Sequence, residues 1–120
     1  MNQVTIVGRL VRTPELKESE NKRKMTFITV AVNRPFKNIS GEYETDYIDC
    51  LLWENIASNT VEYCKKGDIV SVRGRLQTRI IEKDNQKRSV LEVVGERITF
   101  ISSNNNKNTE ETLDEESEEI

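Results

Sequence analysis

The chain contains no histidine and only two cysteines, and this scarcity removes several kinds of chemistry at once. Without histidine, the usual general base for nucleophilic catalysis is missing. Cys50 and Cys64 form no CxxC pair, which argues against a zinc site or a disulfide framework. Cys50 lies in an apolar run and Cys64 near the end of a helical stretch, so both read as structural thiols. No apolar run approaches the ~20 residues needed to span a bilayer. The opening MNQVTIVGRLVRT is broken by Gly8, Arg9 and Arg12, unlike the apolar block of a signal peptide. The expectation is a cytoplasmic protein without a membrane partner. The carboxylates do not gather either: Asp46 and Asp49 are three apart on a predicted strand and face opposite ways. No DxD or Gly-rich phosphate loop accompanies them. A metal-dependent nuclease is therefore disfavoured, and no enzyme activity, metal or cofactor is expected.

What the chain does have is charge, unevenly placed. Ser102 to Ile120 carries one base, Lys107, against seven acids, whereas Met1 to Ile101 holds 17 bases against 14 acids. The body is thus +3 and the tail −6, and the whole-chain value of −3 describes neither. A mildly basic body with an acidic tail suggests a polyanion binder carrying its own competitor or a partner hook. A solubilising tail on an ordinary domain has the same composition.

The body reads as alternating strands. In Val4 to Val11, Val4, Ile6 and Leu10 share one face, and Gly8 marks a bulge, bend or close backbone approach. Glu15 to Lys24 reads as a solvated loop. Thr26 to Asn33 keeps Ile28, Val30 and Val32 in step, and Arg34-Pro35 is expected to end it, followed by a loop around Ser40-Gly41. In Thr45 to Trp53, Ile48, Cys50 and Leu52 point one way while Tyr47, Asp49, Leu51 and Trp53 point the other. Asn55 to Cys64 has helical spacing, with Lys65, Lys66 and Gly67 as its expected basic last turn and glycine stop. Ile69 to Ile81 is the longest strand, with Val70, Val72, Leu76 and Ile80 on its core face and Gly74 as a bend. Asp84-Asn85 marks a hairpin turn, after which Ser89 to Val94 returns and Arg97 to Ile101 closes the domain. Residues 102–120 read as an Asn-rich linker and disordered acidic tail. An all-β, five-stranded barrel of the OB type, with one short helix between strands 3 and 4, has this order. An open antiparallel sheet covered by the helix has it too.

Arg73, Arg75 and Arg79 lie on one face of the long strand, about 7 or 13 Å apart. That spacing suits successive phosphates of a stretched single strand, and it is also ordinary for a solvated sheet face. Tyr47 and Trp53 occupy the non-core parity of their strand, where exposed rings beside arginines make a stacking platform. Phe36, in the basic loop Asn33-Arg34-Pro35-Phe36-Lys37, is a third candidate. Burial is the alternative for each ring: Trp53 against the helix, Tyr47 at a subunit interface. Phe27 and Phe100 read as core or interface residues. Arg9, Arg12, Lys22, Arg23 and Lys24 extend a basic track or are simply solvated, and Lys87-Arg88 at the hairpin tip could hold phosphates.

The segments NQVTIVGRL, TFITVAVNRPF, DYIDCLLW, EYCKKGDIVSVRGRLQTR and LEVVGERITF, in this order, resemble the bacterial and phage single-stranded DNA-binding protein (SSB) family across Asn2 to Ile101. The resemblance implies an OB-fold domain over 1–101, usually assembled as a homotetramer. It further implies sequence-independent binding of single-stranded DNA in replication, recombination or repair, in a cytoplasmic, nucleoid-associated setting. Phe36, Tyr47 and Trp53 match the family's stacking positions, with Arg9, Arg34, Arg73, Arg75, Arg79, Lys87 and Arg88 expected on phosphates. A fourth stacking position falls on Ile81, which cannot stack as a ring does. In the family an acidic tip ending in Pro-Phe docks replication and repair proteins. Here Asp114, Glu115, Glu116, Glu118, Glu119 and Ile120 supply acids and a terminal apolar residue without that pair. The short linker looks like that of an accessory, phage or mobile-element member. An oligomeric protein-interaction adaptor with weak or vestigial DNA binding is the competing expectation.

Overall fold

Apolar residues recurring every second position give each strand one wall of a shared core. In the computed structural model, which describes residues 1–103, the elements run β1 (Val4–Leu10), β2 (Lys17–Glu18), β3 (Lys24–Lys37), β4 (Tyr43–Trp53), α1 (Glu54–Tyr63), β5 (Ile69–Lys83) and β6 (Gln86–Ser102). The core is built from Leu10, Ile28, Val30, Cys50, Leu52, Ala57, Cys64, Val70, Val72 and Val93, with Val4, Ile6, Val32, Ile48, Ile56 and Ile98 packed against it. Fully burying a Val, Leu or Ile side chain is worth about 1.5–3 kcal/mol, so this inward set dominates folding. The acidic tail residues Asp114, Glu115, Glu116, Glu118, Glu119 and Ile120 lie outside the described residues.

Five strands close on themselves. β1 pairs with β5 from Val4 to Arg9 and then with β3 at Arg9↔Ala31 and Leu10↔Val30. β5 pairs with β6, β6 runs parallel to β4 at Cys50↔Val93 and Leu51↔Val94, and β4 pairs with β3. This ring is the expected OB-type barrel, and the β1–β3 pairing rules out the open sheet. Gly8 sits where β1 passes from one partner to the other, and a Cβ there would run into the Ala31 carbonyl oxygen.

Several local expectations need correction. Lys17–Glu18 pairs with Met25 and Lys24, so the polar loop contains a short edge strand. β3 does not end at Arg34-Pro35: it continues to Lys37 across a register shift between Asn33 and Lys37. An irregular edge tolerates a proline that donates no ladder bond. The helix ends before its lysines, and Gly67 (φ 92) instead belongs to a turn closed by Asp68 N–H donating to the Lys65 carbonyl at 3.1 Å. Asp84 and Asn85 both have positive φ, the signature of the expected tight hairpin turn. β6 is one strand rather than two segments. The interruption is a bulge, since Arg73 faces Arg97 while Gly74 faces Gly95, leaving Glu96 unpaired. Past Val93, the last residue of β6 paired with β4 on the way to the turn, the β5–β6 hairpin extends as an arm. Leu76 and Ile80 keep core parity, but the core does not reach them: both are exposed, Ile80 at 71%.

Candidate nucleic-acid interface

Residues directly opposite in an antiparallel pair share a face. The β3–β4 register therefore lays out the outer wall: Trp53 beside Met25, Leu51 beside Phe27, Asp49 beside Thr29, Tyr47 beside Ala31. Thr29 Oγ1 donates to Asp49 Oδ1 at 2.6 Å, tying the two strands from outside. Tyr47 is 68% exposed and Phe36, near the far end of β3, is 66% exposed. Trp53 is half-buried at the junction with α1. Tyr47 and Trp53 are six positions apart on the strand, about 20 Å along one face. A solvent-facing tyrosine and phenylalanine in a small barrel gain nothing from core packing, which leaves their ring faces available.

The β5–β6 arm folds toward this wall. Arg79 Nε donates to Glu92 Oε1 at 2.8 Å, and Gln77 Nε2 donates to Glu92 Oε2 at 2.9 Å. The Arg79 guanidinium also lies 5.5 Å from the centroid of the Phe27 ring, bridging the arm to β3. Arg75 donates Nη1 to Gln77 Oε1 at 3.0 Å and lies 3.6 Å from Glu96. Arg73 is exposed, next to Arg97 across the ladder. Lys87 and Arg88 are exposed near the arm's tip and, among the described residues, form no ion pair; Ile81 lies opposite Arg88.

Two of the expected phosphate contacts are more tightly engaged. Arg9 donates Nη1 to the Gly67 carbonyl at 2.7 Å, which fastens β1 to the loop before β5. Arg34 donates Nε to Asp46 Oδ2 at 3.1 Å, Nη2 to Asp46 Oδ1 at 2.9 Å and Nη1 to Glu44 Oε2 at 2.7 Å. The hydrogen bond from Arg34 holds the Asp46 carboxyl below its usual range, and Asp46 in turn raises the Arg34 guanidinium. Arg34 thus offers a phosphate less net charge than an isolated arginine.

Both cysteines are buried and free. Burial, with Asp49 nearby, pushes the Cys50 thiol up to about 12, and burial also raises Cys64. Neither has the exposed, electropositive surroundings of a reactive thiolate.

Two residues of this face have a vaguer place in the sequence: Phe27 as core or interface, and Arg23 as part of a basic track or simply solvated. Phe27 lies outside the core on the outer wall; its odd-numbered parity against Ile28 and Val30 was a usable signal. Arg23 lies over the Trp53 ring, 4.3 Å from its centroid, and no local periodicity could have placed it there.

Together the closed barrel and its aromatic, arginine-lined outer wall define an OB-fold protein suited to an extended polyanion with accessible rings. Residues 1–101 match the Single-strand binding protein family. Single-stranded DNA-binding protein B of Bacillus subtilis (strain 168) is 45% identical over 101 residues, spanning 83% of this chain and 89% of that protein. Single-stranded DNA-binding protein 3 of Listeria innocua is 44% identical over 107 residues, covering 88% of this chain and 67% of the relative. Among solved structures, one described as "Plasmodium falciparum SSB complex with ssDNA" superposes with a TM-score of 0.72 at 22% identity. It covers 85% of this chain and 96% of that chain, a likeness of fold. The chain belongs to the single-strand binding protein family.

Proposed function

We propose that this protein binds single-stranded DNA independently of sequence, stacking bases on Trp53, Tyr47 and Phe36. The observation that carries this reading is the exposed Tyr47 and half-buried Trp53 on one outer strand face, with the Arg79 arm turned toward it. Stacking is worth about 1–3 kcal/mol per base and tolerates any base, because each has a π-face. Arg73, Arg75, Arg79, Lys87 and Arg88 supply the phosphate contacts, with Arg9 and Arg34 contributing less because their guanidinium donors are already engaged. Family membership supports the same reading. Roles in replication, recombination or repair, and a place at the nucleoid, follow from it as part of the proposal.

Self-assembly is the second part. Val4, Ile6, Tyr47, Ile48, Leu76 and Leu91 line a shallow apolar groove at one side of the barrel. Exposed apolar area of this kind marks an interaction surface, and a homotetramer would cover its Val4, Ile6, Leu76 and Leu91 part while leaving the Tyr47 ring to DNA. The adaptor reading is favoured by the same strip and by Ile81 in place of a ring, and it predicts assembly without DNA affinity. Fluorescence polarisation separates the two. Labelled oligo(dT) and a mixed-sequence single strand should bind alike, with duplex of the same length much weaker. Light scattering in parallel gives the subunit count, and a tetramer that ignores both single strands would favour the adaptor.

A further inference from the structure

The hairpin joining β2 to β3 is held by its own backbone. Ser19 N–H donates to the Arg23 carbonyl at 2.9 Å, Lys22 N–H to the Ser19 carbonyl at 2.9 Å, and Arg23 N–H to Ser19 Oγ at 3.2 Å. From this hairpin Arg23 folds over Trp53, its guanidinium carbon 4.3 Å from the ring centroid. Its Nε donates to Glu54 Oε1 at 3.0 Å. Glu54, the first residue of α1, has φ 53. A non-glycine residue in that left-handed region is uncommon and tends to persist where the surroundings demand it. Here it turns the chain between Trp53 and α1, with the carboxylate meeting the guanidinium beside the ring.

Among the described residues neither Nη atom of Arg23 has a hydrogen-bond partner, and the side chain is 52% exposed between the exposed Lys22 and Lys24. A half-exposed ion pair contributes little to folding, so stability alone is a weak reason for this arrangement. A guanidinium stacked on an indole is pre-oriented, and its two free Nη nitrogens form the fork that matches a phosphate. At 4.3 Å no base fits between the guanidinium and the ring face it covers, so a base stacking on Trp53 uses the ring surface that Arg23 leaves open, which brings its phosphate beside the Nη fork.

We infer that Arg23 is a phosphate-binding residue that carries the DNA track past Trp53 onto the β2–β3 hairpin, with Lys22 and Lys24 beside it. The inference rests on the single-strand-binding reading above. It extends the basic path to a side of the barrel remote in sequence from the β5–β6 arm.

The test compares wild type, Arg23→Ala and Arg23→Lys by polarisation of labelled oligo(dT) over a salt series. Arg23→Ala should bind about 5–10-fold more weakly at low salt. Its slope of log affinity against log salt should shrink by about 0.7, the value of one phosphate on a single strand. Arg23→Lys should keep the slope yet bind about 2–3-fold more weakly, because a point charge replaces the fork. Equal thermal melting of the variants checks that the hairpin is not needed for folding, and Arg23→Lys carries the test if Arg23→Ala melts early. Unchanged slope and affinity in Arg23→Ala, with wild type binding normally, would overturn the inference and leave the function intact. Tighter binding by Arg23→Ala would overturn it too, since Arg23 would then be shielding the ring. Failure of wild type to bind would overturn the function itself.

Discussion

Arg79 and Glu92 face each other across the β5–β6 arm, with Nε of the arginine 2.8 Å from a carboxylate whose side chain is only 6% exposed. The same guanidinium lies over Phe27 of β3, so one residue connects the arm to the opposite wall. Arg79 therefore has two tasks, holding the arm and offering its remaining donors to a phosphate. Replacing it by alanine leaves Glu92, among the described residues, with Gln77 as its remaining side-chain donor. The expected cost is about 1–2 kcal/mol in stability, since one partner of the pair is half exposed, together with weaker DNA binding. Thermal melting and oligo(dT) affinity of Arg79→Ala check both; Arg79→Lys should recover part of the affinity and little of the arm's order.

Phe36 and Tyr47 are exposed, so their removal should separate binding from folding. Phe36→Ala and Tyr47→Ala are each expected to lose about 1–3 kcal/mol of DNA affinity while stability stays within about 0.5 kcal/mol. Titration with oligo(dT) beside denaturant unfolding measures the two. A stability loss without an affinity loss would assign the ring to packing, at Tyr47 most plainly against a neighbouring subunit.

The Cys50 thiol is pushed up to about 12 by burial, from an ordinary value of 9.0. Above pH 9 the unfolded chain therefore holds fewer protons than the native one. The stabilisation is fully present below about pH 9 and is lost as pH rises toward 12, at up to about 1.4 kcal/mol per pH unit. Cys64, also raised, acts in the same direction. Unfolding free energies from pH 8 to about 11 should fall more steeply for wild type than for Cys50→Ala. Every other group is common to both proteins and cancels from the comparison.

The inner wall was legible from alternation alone: Ile28, Val30, Cys50, Leu52, Val70 and Val72 are all buried as their parity requires. Parity also exposed Tyr47, because Ile48 and Cys50 already filled the inner positions. It failed at Leu76, at the barrel's edge opposite Val93, and at Ile80, out on the arm, where the pattern continues past the core; a strand's period does not say where the opposing wall stops. Arg34 illustrates a second limit. Its carboxylate partners, Glu44 and Asp46, are 10 and 12 residues away and meet it only once the β3–β4 register is known. The Arg23–Trp53 contact depends on how one hairpin folds over another strand, which no single segment encodes.

The acidic tail is expected to compete with DNA for the basic face. Deleting Leu113 to Ile120 removes Asp114, Glu115, Glu116, Glu118 and Glu119. That deletion should tighten oligo(dT) binding about 2–5-fold at low salt, with the difference vanishing as salt screens the charges. Equal affinity at low salt would leave partner docking as the tail's remaining role.

The central claim is that bases stack where Trp53 stands, and Trp53 is the only tryptophan in the chain. Its fluorescence should be quenched as oligo(dT) is added and should recover as salt rises and the complex dissociates. Emission unchanged at micromolar protein, with no mobility shift of the DNA, would contradict the account.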